Sequence, residues 1–365
     1  MLIRFEVENF KNFKNKIVLD LSNTKGYEFK ENLVKNNVVR SGVIFGKNAS
    51  GKSNLVRAID FMRYTVVHGL PNGYSNKYCK ADPKNKELAS YFEIEIKLGN
   101  KYYAYGYEVV LSTGQFQTEW LIELTSDNKE KVIFERDIVN GIYELDGCLK
   151  TKEVYNKINN YAEDIQDDEK ALLLTVMNRN KKNFYQKYKS AAILQDIYFW
   201  MKENLDINYP DRPISNYSYM ANLENVEEVC NMIAAFGTGI TNYQLVEVPP
   251  EKVISHLPKE IREQLQNKFE KYTTETEKST DNQQGVGIIM RSKRDFFILK
   301  MLNGKMICQT IQFEHNKKDV LFELSEESDG TVRVLDLLEI LLSDEGKTYV
   351  IDELDRCLHP SLTYK

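Results

Sequence analysis

The chain has 365 residues, of which 42% are hydrophobic and 28% charged, with a formal charge of −5. That length can bury about two cores, and the balance excludes a polycationic nucleic-acid coat or an acidic tail, so any DNA-binding face must be local. No apolar run approaches the roughly 18 residues of a membrane span and the N-terminus alternates charges, which argues against a signal peptide and for a cytoplasmic protein without a membrane partner.

Residues 2–8 alternate Ile3, Phe5 and Val7 with Arg4, Glu6 and Glu8, and Ile17–Leu21 forms a second apolar run. Together they predict a hairpin whose polar connection carries Phe10 and Phe13 for packing beneath it. Residues 22–37 read as a surface loop. Val43, Ile44 and Phe45 predict a strand that stops at Gly46, and Leu55, Val56, Ile59 and Met62 recur at helical spacing. Between strand and helix lies GKNASGKSN, residues 46–54, a complete GxxxxGK[ST] pattern. Its glycines let backbone N–H groups turn onto phosphate oxygens, Lys52 reaches the β- and γ-phosphates, and the Ser53 hydroxyl can join the shell of a magnesium ion. The candidate nucleotide-binding residues are Gly46, Lys47, Asn48, Ala49, Ser50, Gly51, Lys52, Ser53 and Asn54.

Pro71, Asn72 and Gly73 end the helix, and from residue 91 the period becomes two, through Phe92–Leu98, a Gly99–Asn100 turn and Tyr103–Val109. Further strands are predicted at Trp120–Leu124 and Val132–Glu135. The alternating tyrosines suit either a sheet core or base stacking, and a half-buried strand favours the core. Between about 150 and 275 the pattern turns helical without sustained heptads, which predicts a compact helical insertion and no coiled-coil arm. Thr273–Gln284 is polar, and strand character returns from Gly285 to Gln312. The expected parts are therefore 1–149, 150–284 and 285–365. The basic cluster Arg291–Arg294 reads as a solvated turn or a phosphate contact. The five cysteines, Cys79, Cys148, Cys230, Cys308 and Cys357, lack paired zinc spacing and read as reduced thiols, and the four histidines are dispersed.

Near the end, Glu345–Glu353 reads as a loop feeding a buried apolar strand that ends in the two acids Asp352 and Glu353. Asp352 in that position holds magnesium, directly or through water, and Glu353 is the candidate general base for an attacking water. Upstream, Ser328, Asp329, Gly330 and Thr331 precede an apolar helix from Val332 to Leu342. Small residues there make either a second anion site or an ordinary helix cap.

The set formed by IRFEVENFKNF, GKNASGKSNL, ESDGT and VIDELDRCLHP resembles the ABC-type ATPases of the RecF, structural-maintenance-of-chromosomes and OLD kind. It is most similar to bacterial abortive-infection and RloA-like AAA-family ATPases. The resemblance implies an α/β P-loop NTPase of ABC-ATPase head type, with a mixed sheet, an antiparallel β subdomain and a helical insertion. It also implies ATP and Mg2+ as ligands and a homodimer or higher homo-oligomer whose heads close head to tail. Ser328, Asp329, Gly330 and Thr331 would then act in trans on the partner's γ-phosphate, and Asp355 would link the two sites.

The family role implied is a switch in anti-phage defence with a separate effector protein, such as a TOPRIM-type nuclease. Two other readings are a DNA-repair or chromosome clamp that binds DNA, and a non-hydrolysing nucleotide-gated scaffold. The family's glutamine loop has no good match, since Gln115 and Gln117 sit in a strand region. Relatives also continue to a switch histidine, which His359 is too close to Glu353 to be. The expectation is therefore a truncated product or a head without its switch, with weak turnover.

Overall fold

The computed structural model describes residues 1–22, 33–35, 37–125, 130–145, 151–179, 181, 183–221, 225–254, 262–263, 287–302, 305–316, 320–342 and 346–359. The chain divides into two compact units, Met1–Ile207 with Glu345–Asp352, and Asn208–Asp344 with Glu353–Lys365. The stretch expected to form one helical insertion is thus shared between both units.

In chain order the first unit holds β1 (Leu2–Glu8), β2 (Ile17–Asp20), β3 (Val34–Lys35), β4 (Val38–Val39) and α1 (Lys52–His68). Then come β5 (Ser90–Leu98), β6 (Lys101–Val110), β7 (Gln115–Leu124), β8 (Glu130–Asp137) and β9 (Ile142–Leu145). They are followed by α2 (Lys152–Asp164), α3 (Leu173–Asn178), α4 (Phe184–Lys187) and α5 (Ala192–Phe199). A π-turn (Trp200–Asn204) runs into β10 (Leu205–Asn208). In the second unit lie α6 (Val226–Ala235), β11 (Asn242–Val248), α7 (Pro250–Ile254), β12 (Gly287–Arg291), β13 (Phe296–Leu302), β14 (Lys305–Glu314), β15 (Leu321–Glu323) and α8 (Asp329–Leu342). β16 (Thr348–Ile351) returns to the first unit.

Seven strands of the first unit form one sheet in the order β2-β1-β5-β6-β7-β8-β9, antiparallel at every pair. The period of two works as expected: Phe92, Ile94, Ile96, Tyr105 and Tyr107 are buried on one face. The tyrosine row is therefore core. Against this face lies α1, whose Phe61 stacks on Phe92 at 5.2 Å and meets Phe10 at 5.3 Å. Each large apolar side chain so buried contributes about 1.5–3 kcal/mol. Helices α2 to α5 close the same core instead of standing apart.

One charged pair is fully buried within that core. Glu119 on β7 accepts hydrogen bonds from the Leu173 and Leu174 N–H groups (2.6 and 3.1 Å), the Tyr105 hydroxyl (3.0 Å) and the Arg136 guanidinium (3.0 Å). Arg136 also donates to the carbonyls of Ala171 and Ile165. Burial and the neighbouring Glu119 push the Tyr105 hydroxyl well above its ordinary pKa, so it remains a donor. The cluster pins the start of α3, a helix too short to hold itself.

The second unit is built on β11-β14-β13-β12, with β15 on β14, all antiparallel. β11 lies inside the stretch read as helical; it forms because Tyr243 supplies an apolar side chain to the core with Phe313, Phe296 and Leu335. The run 259–272 and the polar stretch 273–284 lie outside the described residues, apart from 262–263.

The expected strand at 43–45 is not formed. Val43, Ile44 and Phe45 are 54%, 51% and 79% exposed, and among the described residues no strand pairs with them. Extended chain without a ladder leaves its peptide groups to water and gains nothing over loop. The mixed sheet expected around the loop is likewise absent among the described residues, where β16 pairs with β10.

Two stability predictions follow from the buried charges. Glu119→Ala should lower unfolding free energy in denaturant by about 3–5 kcal/mol, because Arg136 is left charged and unpaired. Asp336 on α8 is pushed up to about 6, chiefly by burial and against the opposing pull of Arg291. Its folded form holds the proton more tightly than the unfolded chain, so stability should fall as pH rises from about 4 to about 6, by on the order of 2–3 kcal/mol. Asp336→Asn should flatten that slope.

Candidate nucleotide site

The loop at 46–51 has the backbone that its glycines and small residues allow. Gly51 sits at φ 105°, and a Cβ there would lie 2.5 Å from Asn12 Nδ2 and 3.0 Å from Phe13. Ala49 also has a positive φ of 64°. The turn closes with a hydrogen bond from Ser50 N–H to the Lys47 carbonyl at 3.2 Å. Lys52 then folds back over the loop, its ammonium donating to the carbonyls of Gly46 (2.6 Å) and Lys47 (3.0 Å). α1 starts at Lys52 with no side chain capping it, and an uncapped helix start of this kind, with the helix dipole behind it, favours an anion.

Lys47, Asn48, Ala49 and Ser50 are exposed along the loop. Asn54 is engaged from both sides, donating to Asn12 Oδ1 (2.7 Å) and accepting from Arg57 (3.1 Å). Asn12 is a partner that the sequence reading missed, although it lies in the motif IRFEVENFKNF. Its amide supports the loop at Gly51 and Asn54 alike.

β16 carries Asp352 to this loop. The Ser53 hydroxyl donates to Asp352 Oδ1 at 3.0 Å, and the carboxylate is buried. These are hard oxygen donors. Their separation matches adjacent corners of an octahedron with bonds of about 2.1 Å, the geometry that magnesium requires. The pair therefore fits the expected metal, whose remaining positions would fall to phosphate oxygens and water.

The remaining candidates belong to the second unit. Ser328 Oγ accepts the Thr331 N–H at 3.1 Å and lies 2.9 Å from the Thr331 hydroxyl, so the segment is a helix cap for α8. Asp329 is held by Arg294 at 2.6 Å and Lys293 at 3.5 Å, and Arg294 also donates to the Glu327 carbonyl. The basic cluster thus resolves into a clamp on this segment. Arg291 points inward, donating to the Tyr217 hydroxyl at 2.7 Å and lying 3.5 Å from Asp336.

Glu353 has φ 51°, rare for a residue with a side chain, and its carboxylate is more than half exposed. Its carbonyl accepts from the Arg356 N–H (3.1 Å) and from the buried Arg333 guanidinium of α8 (3.0 Å). A Cβ on Gly330 would come within 3.0 Å of the Cys357 carbonyl, so the start of α8 packs directly on the 353–357 turn. Asp355 lies in that turn, its carbonyl bonded to the Leu358 N–H. Arg333 is the single basic residue of α8, and nothing in the sequence pattern marked its bond to the Glu353 carbonyl.

A family model described as an AAA ATPase domain matches residues 1–365. A search of curated proteins returns no match. Among the described residues, no helix is long and apolar enough to cross a membrane.

Gly51→Ala should separate the loop from the rest of the fold. The strain and the contact with Asn12 predict nucleotide affinity at least about tenfold weaker, with a stability loss of only about 1–3 kcal/mol; titration with a fluorescent ATP analogue and thermal unfolding read the two.

Proposed function

Because the chain belongs to the AAA ATPase domain family, we propose that residues 46–54 bind the triphosphate of ATP and that the protein hydrolyses it to ADP and phosphate. The observation that carries the reading is the 3.0 Å hydrogen bond between Ser53 and Asp352, which brings the loop hydroxyl to the acid at the end of β16.

On this reading Lys52 exchanges two neutral carbonyl acceptors for phosphate oxygens, a stronger charge-assisted contact. Ser53 and Asp352 hold a magnesium ion, which when bound offsets charge on the β- and γ-phosphates. Glu353 follows Asp352 directly in the chain, and its exposed carboxylate takes the proton of the attacking water. Ser328, Gly330 and Thr331 act in trans on the nucleotide of a partner subunit, with Asp329 setting the segment through Arg294 rather than touching phosphate. Two chains close head to tail when ATP is bound and separate after hydrolysis. Closure is a population shift driven by γ-phosphate contacts that exist only in the closed state. The motif set supports a switch in anti-phage defence that acts on a separate effector.

Lys52→Ala should abolish ATP binding measured by calorimetry; undiminished binding would remove the loop from its role. Glu353→Gln should bind ATP and lose turnover by about 100-fold or more. Light scattering of that variant should show a doubling of mass with ATP and magnesium. The further change Ser328→Arg should prevent the doubling while leaving ATP bound.

A further inference from the structure

The phosphate-loop helix and the strand ending at Asp352 are tied together at two places, and the second tie has no counterpart in the motifs. Arg63 lies ten residues beyond Ser53 on α1, about 15 Å along the helix. Its guanidinium donates from Nε to the Met201 carbonyl (3.0 Å) and from Nη2 to the Lys202 carbonyl (3.2 Å). Both carbonyls belong to the π-turn, whose widened backbone turns successive carbonyls outward. Trp200 and Met201 anchor that turn in the core, at 2% and 0% exposure. At its far end Asn204 donates its side-chain amide to the Gly346 carbonyl at 3.2 Å, just before β16, and β10 continues as the pairing partner of β16.

We propose that Arg63 and Asn204, acting through the π-turn, are positioning residues that fix the spacing of α1 from β16 and thereby tune the Ser53–Asp352 pair for magnesium over larger divalent cations. The inference rests on reading that pair as the metal site. A single hydrogen bond between Ser53 and Asp352 cannot set the spacing while an ion is bound, because the ion replaces it. A tie roughly 15–20 Å away, farther along the same helix and at the other end of the same strand, persists in both states. Magnesium tolerates little variation around bonds of about 2.1 Å, whereas calcium accepts 2.3–2.6 Å in flexible geometry. Loosening the tie therefore weakens magnesium more than calcium.

The test is titration of the full chain with a fluorescent ATP analogue at fixed concentration, varying Mg2+ or Ca2+, together with thermal unfolding. Arg63→Gln and Asn204→Ala should each weaken apparent Mg2+ affinity by up to about tenfold, the low end of the range for partners that touch metal ligands directly, while Ca2+ affinity changes less and metal-free nucleotide affinity is retained. The double variant should be no worse than the weaker single one, since the two contacts lie in series. Arg63→Lys keeps the charge but offers one donor nitrogen in place of the two that Arg63 uses, and it should fold and show part of the effect. Wild-type Mg2+/Ca2+ preference in folded variants, or losses that merely follow the unfolding temperature, would overturn the proposal. Asp352→Asn separates this from the underlying reading. If it leaves the Mg2+ dependence intact, the metal pair itself is wrong and the inference falls with it. If it removes that dependence while Arg63→Gln behaves as wild type, only the tie is wrong.

Discussion

The hydrogen bond from Ser53 to Asp352 joins residues 299 positions apart. Closing a loop of that length costs about 5 kcal/mol in chain entropy, and one hydrogen bond returns about 1 kcal/mol. The contact cannot hold itself together. It exists because α1 is fixed against the antiparallel sheet and because β16 is fixed beside β10, so the apolar core of the first unit does the placing. Phe10, Phe92 and Tyr107 form the aromatic row that receives Phe61 of α1. The carbonyls at the end of α1 are met by Thr175, Arg179 and Tyr198 from the helices behind it. Of the stretch that reads as an insertion in sequence, the part around α3 and α5 is structurally a back wall for α1.

The second unit solves a different problem with the same materials. The start of α8 carries Ser328 and its neighbours, and the adjoining turn carries Glu353. Gly330 allows the two to touch, Arg333 bonds to the Glu353 carbonyl, and Arg294 holds Asp329. The start of α8 and the turn that begins at Glu353 are thereby packed and hydrogen-bonded as one piece.

Elements whose pattern matches a period were legible in the sequence. The strands around Phe92, Tyr105 and Trp120, the helix after Gly51, the strand before Asp352 and the helix after Thr331 all formed. So did the cap at Ser328, which sequence allowed alongside an anion site. The strand at Val43–Phe45 did not form, because apolar side chains alone cannot satisfy backbone groups without a neighbouring strand. β10 and β11 were hidden within helical surroundings, since each depends on a partner distant in sequence. Arg63 and Asn204 in the first unit and Arg333 in the second carried no local signal of their bonding, and Asn12 stood in a recognised motif without showing its partner. Their roles arise from what the fold brings beside them.

The most direct measurement is a crystal structure of the full chain with a non-hydrolysable ATP analogue and Mn2+ in place of magnesium, using anomalous scattering to locate the ion. The account predicts the triphosphate against residues 46–53 and a manganese peak in contact with Ser53 Oγ, with Asp352 binding it directly or through one water. A nucleotide bound elsewhere, or an ion remote from both side chains while Ser53 and Asp352 remain hydrogen-bonded to each other, would contradict it.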